Sequence, residues 1–199
     1  MAAVRVPTVA EAPPGLLYRP DFVTEAEERS LVAAFEAGDW EEVRMRGQTA
    51  LRTVRHFGHR YDYEGWRLVA ADPLPDSVSW LRDRGAALAE VAPEDFTETL
   101  VTRYPPGAGI GWHRDAPLFG PKVVGISLLA PCRLRFQRRT AEVRRVHDLD
   151  LAPRSAYVLS GAARWSWQHS IPAVPALRYS ITFRTVVRTG RADVPPPAP

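Results

Sequence analysis

From Thr97 onward the chain offers strands with no helices between them, and this restricts its possible folds more than any other feature. The segments ETLVTRY, VVGISLLAP, CRLRFQR, AYVLSG and RYSITFRTVV are short, rich in β-branched and aromatic residues, and separated by turn residues. A parallel α/β sheet would need helices interleaved with them. The helical patterns instead come earlier. Thr24 precedes Glu27 by three residues, a capping box that opens a helix through TEAEERSLVAAFEAG, with Leu31, Val32 and Phe35 as its buried stripe. A second helix starts near Asp76 and covers SVSWLRDRGAALAEV, with Trp80, Leu81, Ala87, Leu88 and Val91 as its apolar contacts. GLLYRPDF reads as an extended entry to the first helix. Two helices followed by a run of strands predict an α+β, mainly β chain: a sandwich or jelly roll with the helices packed on one side.

With 199 residues, 45% of them hydrophobic, the chain can bury the core of one ordinary domain. Residues 1–14 read as a flexible leader, and 189–199, with its VPPPAP run, as a Pro-rich disordered tail. No apolar run approaches the roughly 18 to 20 residues of a membrane span, and the start lacks the apolar stretch of a signal peptide. A soluble, cytoplasmic protein is the expectation, with no obligate protein partner. One cysteine, Cys132, excludes an internal disulfide framework and a Cys-based zinc site, and its apolar flanks read as packing. Net charge is +3, and Lys122 is the single lysine among the basic residues. Arginine suits bidentate phosphate contact and base stacking, so composition permits a nucleic-acid partner without establishing one.

The chemistry concentrates in GWHRDAP, residues 111 to 117. His113 and Asp115 stand at i and i+2, so on extended backbone both side chains point to one side and could converge on a cation. Two ligands are too few, and a polar turn can hold the same pair. Of the remaining histidines, His169 is the best third ligand, because it follows the strand AYVLSG and a tight turn and leads into another strand. Two His and one carboxylate leave coordination positions open on non-haem Fe(II). In RYSITFR, Arg178, Ser180, Thr182 and Arg184 alternate with Tyr179, Ile181 and Phe183. On a strand this puts two guanidinium groups on one face, and burying them bare is costly. A small dianion such as 2-oxoglutarate would satisfy both. Pairing with protein acids, or reaching solvent, is the alternative.

Taken together, RYPPGAGIGWHRD, VVGISLLAP, SGAARWSWQHSIP and RYSITFR resemble the AlkB-like Fe(II)/2-oxoglutarate dioxygenases, over about Gly15 to Val187. The resemblance implies a double-stranded β-helix (jelly roll) with N-terminal helices buttressing one sheet, the dioxygenase domain spanning 15–188. It implies His113, Asp115 and His169 as iron ligands. Arg178 and Arg184 match the arginines that hold the 2-oxoglutarate carboxylates, and Tyr104 matches a tyrosine that helps bind the same cosubstrate. Thr102 and Ser180 stand where the best-known member has asparagines, and each keeps a shorter hydrogen-bonding side chain.

RHFGHRYDYEG, residues 55 to 65, lies where this family has its nucleotide-recognition lid. His59 and Tyr61 align with residues that contact substrate in the founding member, His59 replacing a tyrosine there. Phe57, His59, Arg60, Tyr61 and Trp66 form an aromatic and basic mix suited to stacking and phosphate contact. A hairpin whose aromatics pack on the core is the alternative. RFQRRTAEVRR, residues 135 to 145, reads as a basic loop near the target strand, or equally as a solvated surface loop. The expected activity is oxidative demethylation of N-alkylated bases in DNA or RNA, using Fe(II), 2-oxoglutarate and O2 and releasing succinate, CO2 and formaldehyde. The alternatives are a same-fold oxygenase acting on tRNA, protein or a small molecule, and a non-catalytic nucleic-acid-binding domain.

Overall fold

Strand alternation separates the apolar residues of RYSITFR from its polar ones, and that separation sets the layers of the molecule. The computed structural model describes residues 7–45, 47–62 and 67–186. In chain order they form β1 (Thr8–Ala10), β2 (Leu16–Arg19), α1 (Glu25–Glu36), β3 (Glu41–Met45), β4 (Gln48–Phe57), β5 (His59–Asp62), β6 (Arg67–Ala70), α2 (Asp76–Ala89), β7 (Phe96–Tyr104), β8 (Ile110–His113), β9 (Phe119–Leu129), β10 (Cys132–Arg139), β11 (Arg144–Leu151), β12 (Ser155–Leu159), α3 (Gly161–Trp165), β13 (Gln168–Ile171) and β14 (Arg178–Val186).

A seven-stranded sheet runs β2-β12-β9-β14-β7-β4-β3, and a five-stranded sheet runs β1-β11-β10-β13-β8. β5 and β6 pair with each other. β14 lies between β9 and β7, antiparallel to both. Its Tyr179, Ile181 and Phe183 join Val124, Ile126 and Leu128 of β9, with Leu31 and Phe35 of α1 and Leu81 of α2, in one buried cluster. A second cluster takes Tyr104 and Tyr157 from the large sheet and Leu134, Phe136 and Leu151 from the small one, so it fills the space between sheets. Each fully buried Leu or Phe contributes about 1.5–3 kcal/mol. This is the expected jelly roll with helices on one sheet, and the polar face of β14 is left looking into the sandwich.

α1 starts as the sequence predicts. Thr24 Oγ1 accepts from the Glu27 N–H at 3.2 Å, and Glu27 Oε2 accepts from the Thr24 N–H at 2.8 Å. Arg84 of α2 then donates to both Glu27 oxygens, at 2.7 and 3.0 Å, and ties the two helices together. On α2, Ala87 is exposed, and Ala86 and Ala89 take the buried positions beside Leu81. The other expected contacts hold: Leu81 is buried, and Trp80, Leu88 and Val91 pack against the same cluster.

Three other expectations change. The helices are not consecutive: β3, β4, β5 and β6 lie between them, and β4 pairs with β7 to widen the large sheet. β4 was obscured because its buried side chains, Val54 and Phe57, sit among arginines and polar residues near the sheet edge. RFQRRTAEVRR is not a loop, since Cys132–Arg139 and Arg144–Leu151 pair antiparallel along their length. Within the leader expected to be flexible, Thr8–Ala10 pairs parallel with Arg144–Val146. Cys132 is partly buried against the between-sheet cluster, and burial pushes its thiol pKa up, consistent with packing. Among the described residues no helix is long and apolar enough to cross a membrane.

Candidate active site

The Pro- and Gly-rich run before His113 lays β8 against β13. Gly109 makes this possible, because a Cβ there would meet the Ile171 carbonyl oxygen at 2.6 Å. The resulting register sets His169 opposite His113, and the two imidazole rings lie 4.3 Å apart between centroids. His113 Nδ1 is 2.9 Å from the Gly111 carbonyl. A carbonyl only accepts, so Nδ1 carries the proton and Nε2 keeps its lone pair. His169 is 8% exposed, and its Nδ1 has no hydrogen-bond partner. Its Nε2 lies 3.9 Å from Asp115 Oδ2. Arg114, between the two sequence-predicted ligands, is exposed, as alternation requires.

Burial and charge keep these groups in ligand-competent states. Burial pulls His169 down to about 3, with the neighbouring His113 adding to the shift and Asp115 opposing it. Burial likewise lowers the pKa of His113. For Asp115 burial acts upward, but Arg184, His169 and His113 outweigh it and hold the carboxyl below the usual carboxylate range. At neutral pH the set is two neutral imidazoles and one carboxylate.

The two arginines of β14 behave differently. Arg184 Nε and Nη2 reach Asp115 Oδ1 at 2.9 and 2.8 Å, and its Nη1 reaches both oxygens of Glu98 at 3.0 and 3.1 Å. It follows the alternative reading and pairs with protein acids. Arg178 does not. It is fully buried, its Nε donates to Ser127 Oγ at 3.2 Å, and its Nη1 and Nη2 have no hydrogen-bond partner. Such a cation is costly unless an anion meets it.

Around Arg178 the sandwich floor is hydroxylic. Tyr104 is its register partner across β7, and the guanidinium carbon stands 5.1 Å from that ring's centroid. One register row carries Thr102, Ser180, Ser127 and Ser155 across β7, β14, β9 and β12. Thr102 and Ser180 are buried and stand opposite each other in that row. Tyr157 fills the row beside it, over Gly125, where a Cβ would come within 2.2 Å of the tyrosine ring. Burial pushes up the phenol pKa of both Tyr104 and Tyr157, against the pull of Arg178.

Whether these residues fit an iron ion and its cosubstrate is a question of donors. Among the described residues, no three or more His, Cys, Asp or Glu side chains are disposed, as they stand, to hold a metal ion. Asp115 is turned to Arg184, and its other oxygen remains 3.9 Å from His169. The chemistry of the set nevertheless fits: two imidazoles and a carboxylate share one end of the sandwich, the donor set of open non-haem iron sites. Elsewhere on β14, the two terminal nitrogens of Arg178 that lack a hydrogen-bond partner are the complement of a carboxylate.

The expected substrate contacts divide. Phe57 is 3% exposed and packs on Phe35 with centroids 6.0 Å apart, so it belongs to the core and not to a recognition surface. His59 Nδ1 is held by the Thr97 carbonyl at 3.0 Å. Arg60 is exposed, with Glu41 3.9 Å away. Tyr61 lies on β5 opposite Leu68. Trp66 lies outside the described residues. The sequence reading missed Glu98, Ser127 and Tyr157. Glu98 had a signal, since it shares the alternation of Thr102 and Tyr104 along β7.

A model of the 2OG-Fe(II) oxygenase superfamily matches residues 15–184. The "Alkylated DNA repair protein ALKBH8 homolog" of Arabidopsis thaliana is 32% identical over 183 residues, covering 80% of this chain and 51% of the relative. The "Probable RNA/DNA demethylase ALKBH6" of Danio rerio is 31% identical over 153 residues, covering 76% of this chain and 62% of the relative. The chain therefore spans about half to three-fifths of the length of these relatives. Among solved structures, that of OsALKBH1 superposes with a TM-score of 0.68 at 15% identity, covering 88% of this chain and 98% of the other.

Proposed function

Because the chain belongs to the AlkB-like branch of the 2OG-Fe(II) oxygenase superfamily, and is thus a dioxygenase using Fe(II), 2-oxoglutarate and O2, we propose that it demethylates N-alkylated bases in DNA or RNA. In this reading residues 15–188 form the catalytic unit, and the enzyme meets its nucleic acid in the cytoplasm. The observation that carries the reading is Arg178, a fully buried guanidinium with two unused donors on a hydroxyl-lined floor, in the sandwich that also holds His113, Asp115 and His169.

His113, Asp115 and His169 would hold Fe(II), with His113 Nδ1–H on the Gly111 carbonyl fixing the tautomer that donates through Nε2. Held there, Fe(II) would supply the coupling of oxidative decarboxylation of 2-oxoglutarate to oxygen insertion into a substrate C–H bond, and an N-methyl group so oxidised would leave as formaldehyde. Arg178 would receive a cosubstrate carboxylate through Nη1 and Nη2 while Ser127 holds its Nε. Tyr104, Thr102 and Ser180 line the same pocket and exclude bulk water. Arg184 fixes the Asp115 carboxylate, so its part is to orient a metal ligand as much as to attract the cosubstrate.

Support for a base as substrate comes from the β5–β6 pair, which carries His59, Arg60 and Tyr61, and from the arginines of the β10–β11 hairpin. The names of the Arabidopsis and zebrafish relatives point the same way. A binding domain without turnover is disfavoured, since both imidazoles and the carboxylate lie together and Arg178 keeps two donors unused. The test is product mass: anaerobically iron-loaded protein is given 2-oxoglutarate, then O2, with DNA and RNA oligonucleotides carrying 1-methyladenine or 3-methylcytosine. Loss of one CH2 per lesion, with matching succinate, is the expected result. Succinate without a change in any oligonucleotide would assign the oxygenase another substrate and overturn the base reading.

A further inference from the structure

The segment that follows Asp115 is held from behind by one buried cation that the proposed chemistry does not use. Arg164 lies on the short α3, five residues before His169, and is 2% exposed. Its guanidinium donates to main-chain carbonyls of one stretch: Nη1 to Asp115 at 3.2 Å, Nη2 to Ala116 at 2.8 Å and Phe119 at 2.7 Å, and Nε to Gly120 at 3.1 Å. The same stretch is closed by a turn in which the Phe119 N–H donates to the Ala116 carbonyl at 3.0 Å. One planar fork thus reaches four main-chain acceptors of one stretch.

A guanidinium is a costly way to stabilise a core. Carbonyl dipoles compensate a desolvated charge only partly, and apolar side chains of similar volume are often as stable or more so. What the fork does that an apolar side chain cannot is fix backbone direction. It joins the approach to His169 with the exit from Asp115, segments that no sheet pairing connects directly. Arg184 grips the Asp115 carboxylate, and Arg164 grips the Asp115 carbonyl and the turn beyond it.

We propose that Arg164 is a positioning residue for the metal site: by holding the Asp115–Gly120 main chain against α3, it keeps the Asp115 carboxylate facing His113 and His169. The inference rests on reading those three residues as the iron ligands. It makes metal affinity, more than fold stability, the property that Arg164 controls.

The test titrates Co(II), a redox-stable probe for the Fe(II) site, calorimetrically into wild type, Arg164→Gln, Arg164→Lys and His113→Ala, with the Co(II) absorption spectrum recorded for each. Arg164→Gln should bind Co(II) about 10- to 100-fold more weakly than wild type, in the range seen when the groups that orient metal ligands are lost. Arg164→Lys keeps a charge but cannot span four carbonyls, so it should fall between the two and recover part of the spectrum. If Arg164→Gln does not fold, the lysine variant alone decides. Folded variants that bind Co(II) with wild-type affinity and spectrum, losing only thermal stability, would overturn the positioning role. Wild-type binding by His113→Ala would instead sink the ligand assignment, so the two failures are distinguishable.

Discussion

Arg184 and Asp115 form a two-point contact inside the sandwich, with Nε and Nη2 both on Oδ1 at 2.9 and 2.8 Å. The remaining Nη1 is shared by the two oxygens of Glu98, which is 1% exposed. A residue that the sequence offers as a cosubstrate clamp therefore also neutralises two buried protein carboxylates. That arrangement has a measurable consequence. Arg184→Met leaves both carboxylates without their cation and should cost about 3–5 kcal/mol of unfolding free energy in urea titrations. Adding Glu98→Gln should restore part of the loss, because one of the two stranded charges is then gone. Additive losses in the double variant would contradict the shared-cation description.

Arg178 should respond in the opposite sense. Its two terminal nitrogens have no protein partner, so without a cosubstrate the charge is a burden on the fold. Arg178→Met should leave the melting temperature of the cosubstrate-free protein equal to wild type or higher. It should also abolish the thermal shift that 2-oxoglutarate gives the iron-loaded protein, about 2.7 kcal/mol at a hundredfold excess over Kd. Differential scanning fluorimetry with and without 2-oxoglutarate reads both effects.

Tyr157 occupies space that Gly125 leaves open. A methyl group at 125 would lie 2.2 Å from the ring, and the ring is boxed in by the between-sheet cluster. Gly125→Ala should destabilise the fold by about 1–3 kcal/mol through overpacking. Tyr157→Leu in the same chain should relieve much of that cost, and urea midpoints of the single and double variants test the coupling.

The Glu27–Arg84 pair makes the helix layer acid-sensitive. Its hydrogen bonds with Arg84, then with the Thr24 N–H, lower the Glu27 pKa from 4.5 to about 2. A depressed folded-state pKa contributes stability that is fully present above the unfolded value and is lost as pH falls through the folded one. Glu27→Gln keeps an amide able to complete the capping box but has no charge for Arg84. Wild type should exceed Glu27→Gln in stability at pH 6, and the gap should close between pH 4.5 and pH 2. A constant gap across that window would show that the charge is not what the pair contributes.

What the sequence revealed was what local alternation encodes. His113 and Asp115 could be placed on one side, and Arg178 and Ser180 on one face opposite Tyr179 and Ile181, because those relations depend only on neighbouring residues of extended backbone. The Thr24–Glu27 box was legible for the same reason. The acids on Arg184 were not, since Glu98 lies 86 residues away along the chain and meets it only through the register of β7 and β14. Phe57 illustrates the opposite error. An aromatic beside histidines and arginines looks the same in sequence whether it faces a ligand or the core, and only the pairing of β4 with β7 turns it onto Phe35. Arg164 gave no signal, because its four acceptors are main-chain carbonyls more than 40 residues away along the chain, between Asp115 and Gly120.

The central claim is that His113, Asp115 and His169 hold Fe(II) while Arg178 presents 2-oxoglutarate to it. The most direct measurement is anaerobic: Fe(II) and 2-oxoglutarate are added together, and the visible charge-transfer band of the iron–2-oxoglutarate pair is recorded. Wild type should develop the band, His113→Ala should not develop it at any iron concentration used, and Arg178→Met should require far more 2-oxoglutarate to reach it. A band in His113→Ala equal to that of wild type would contradict the account.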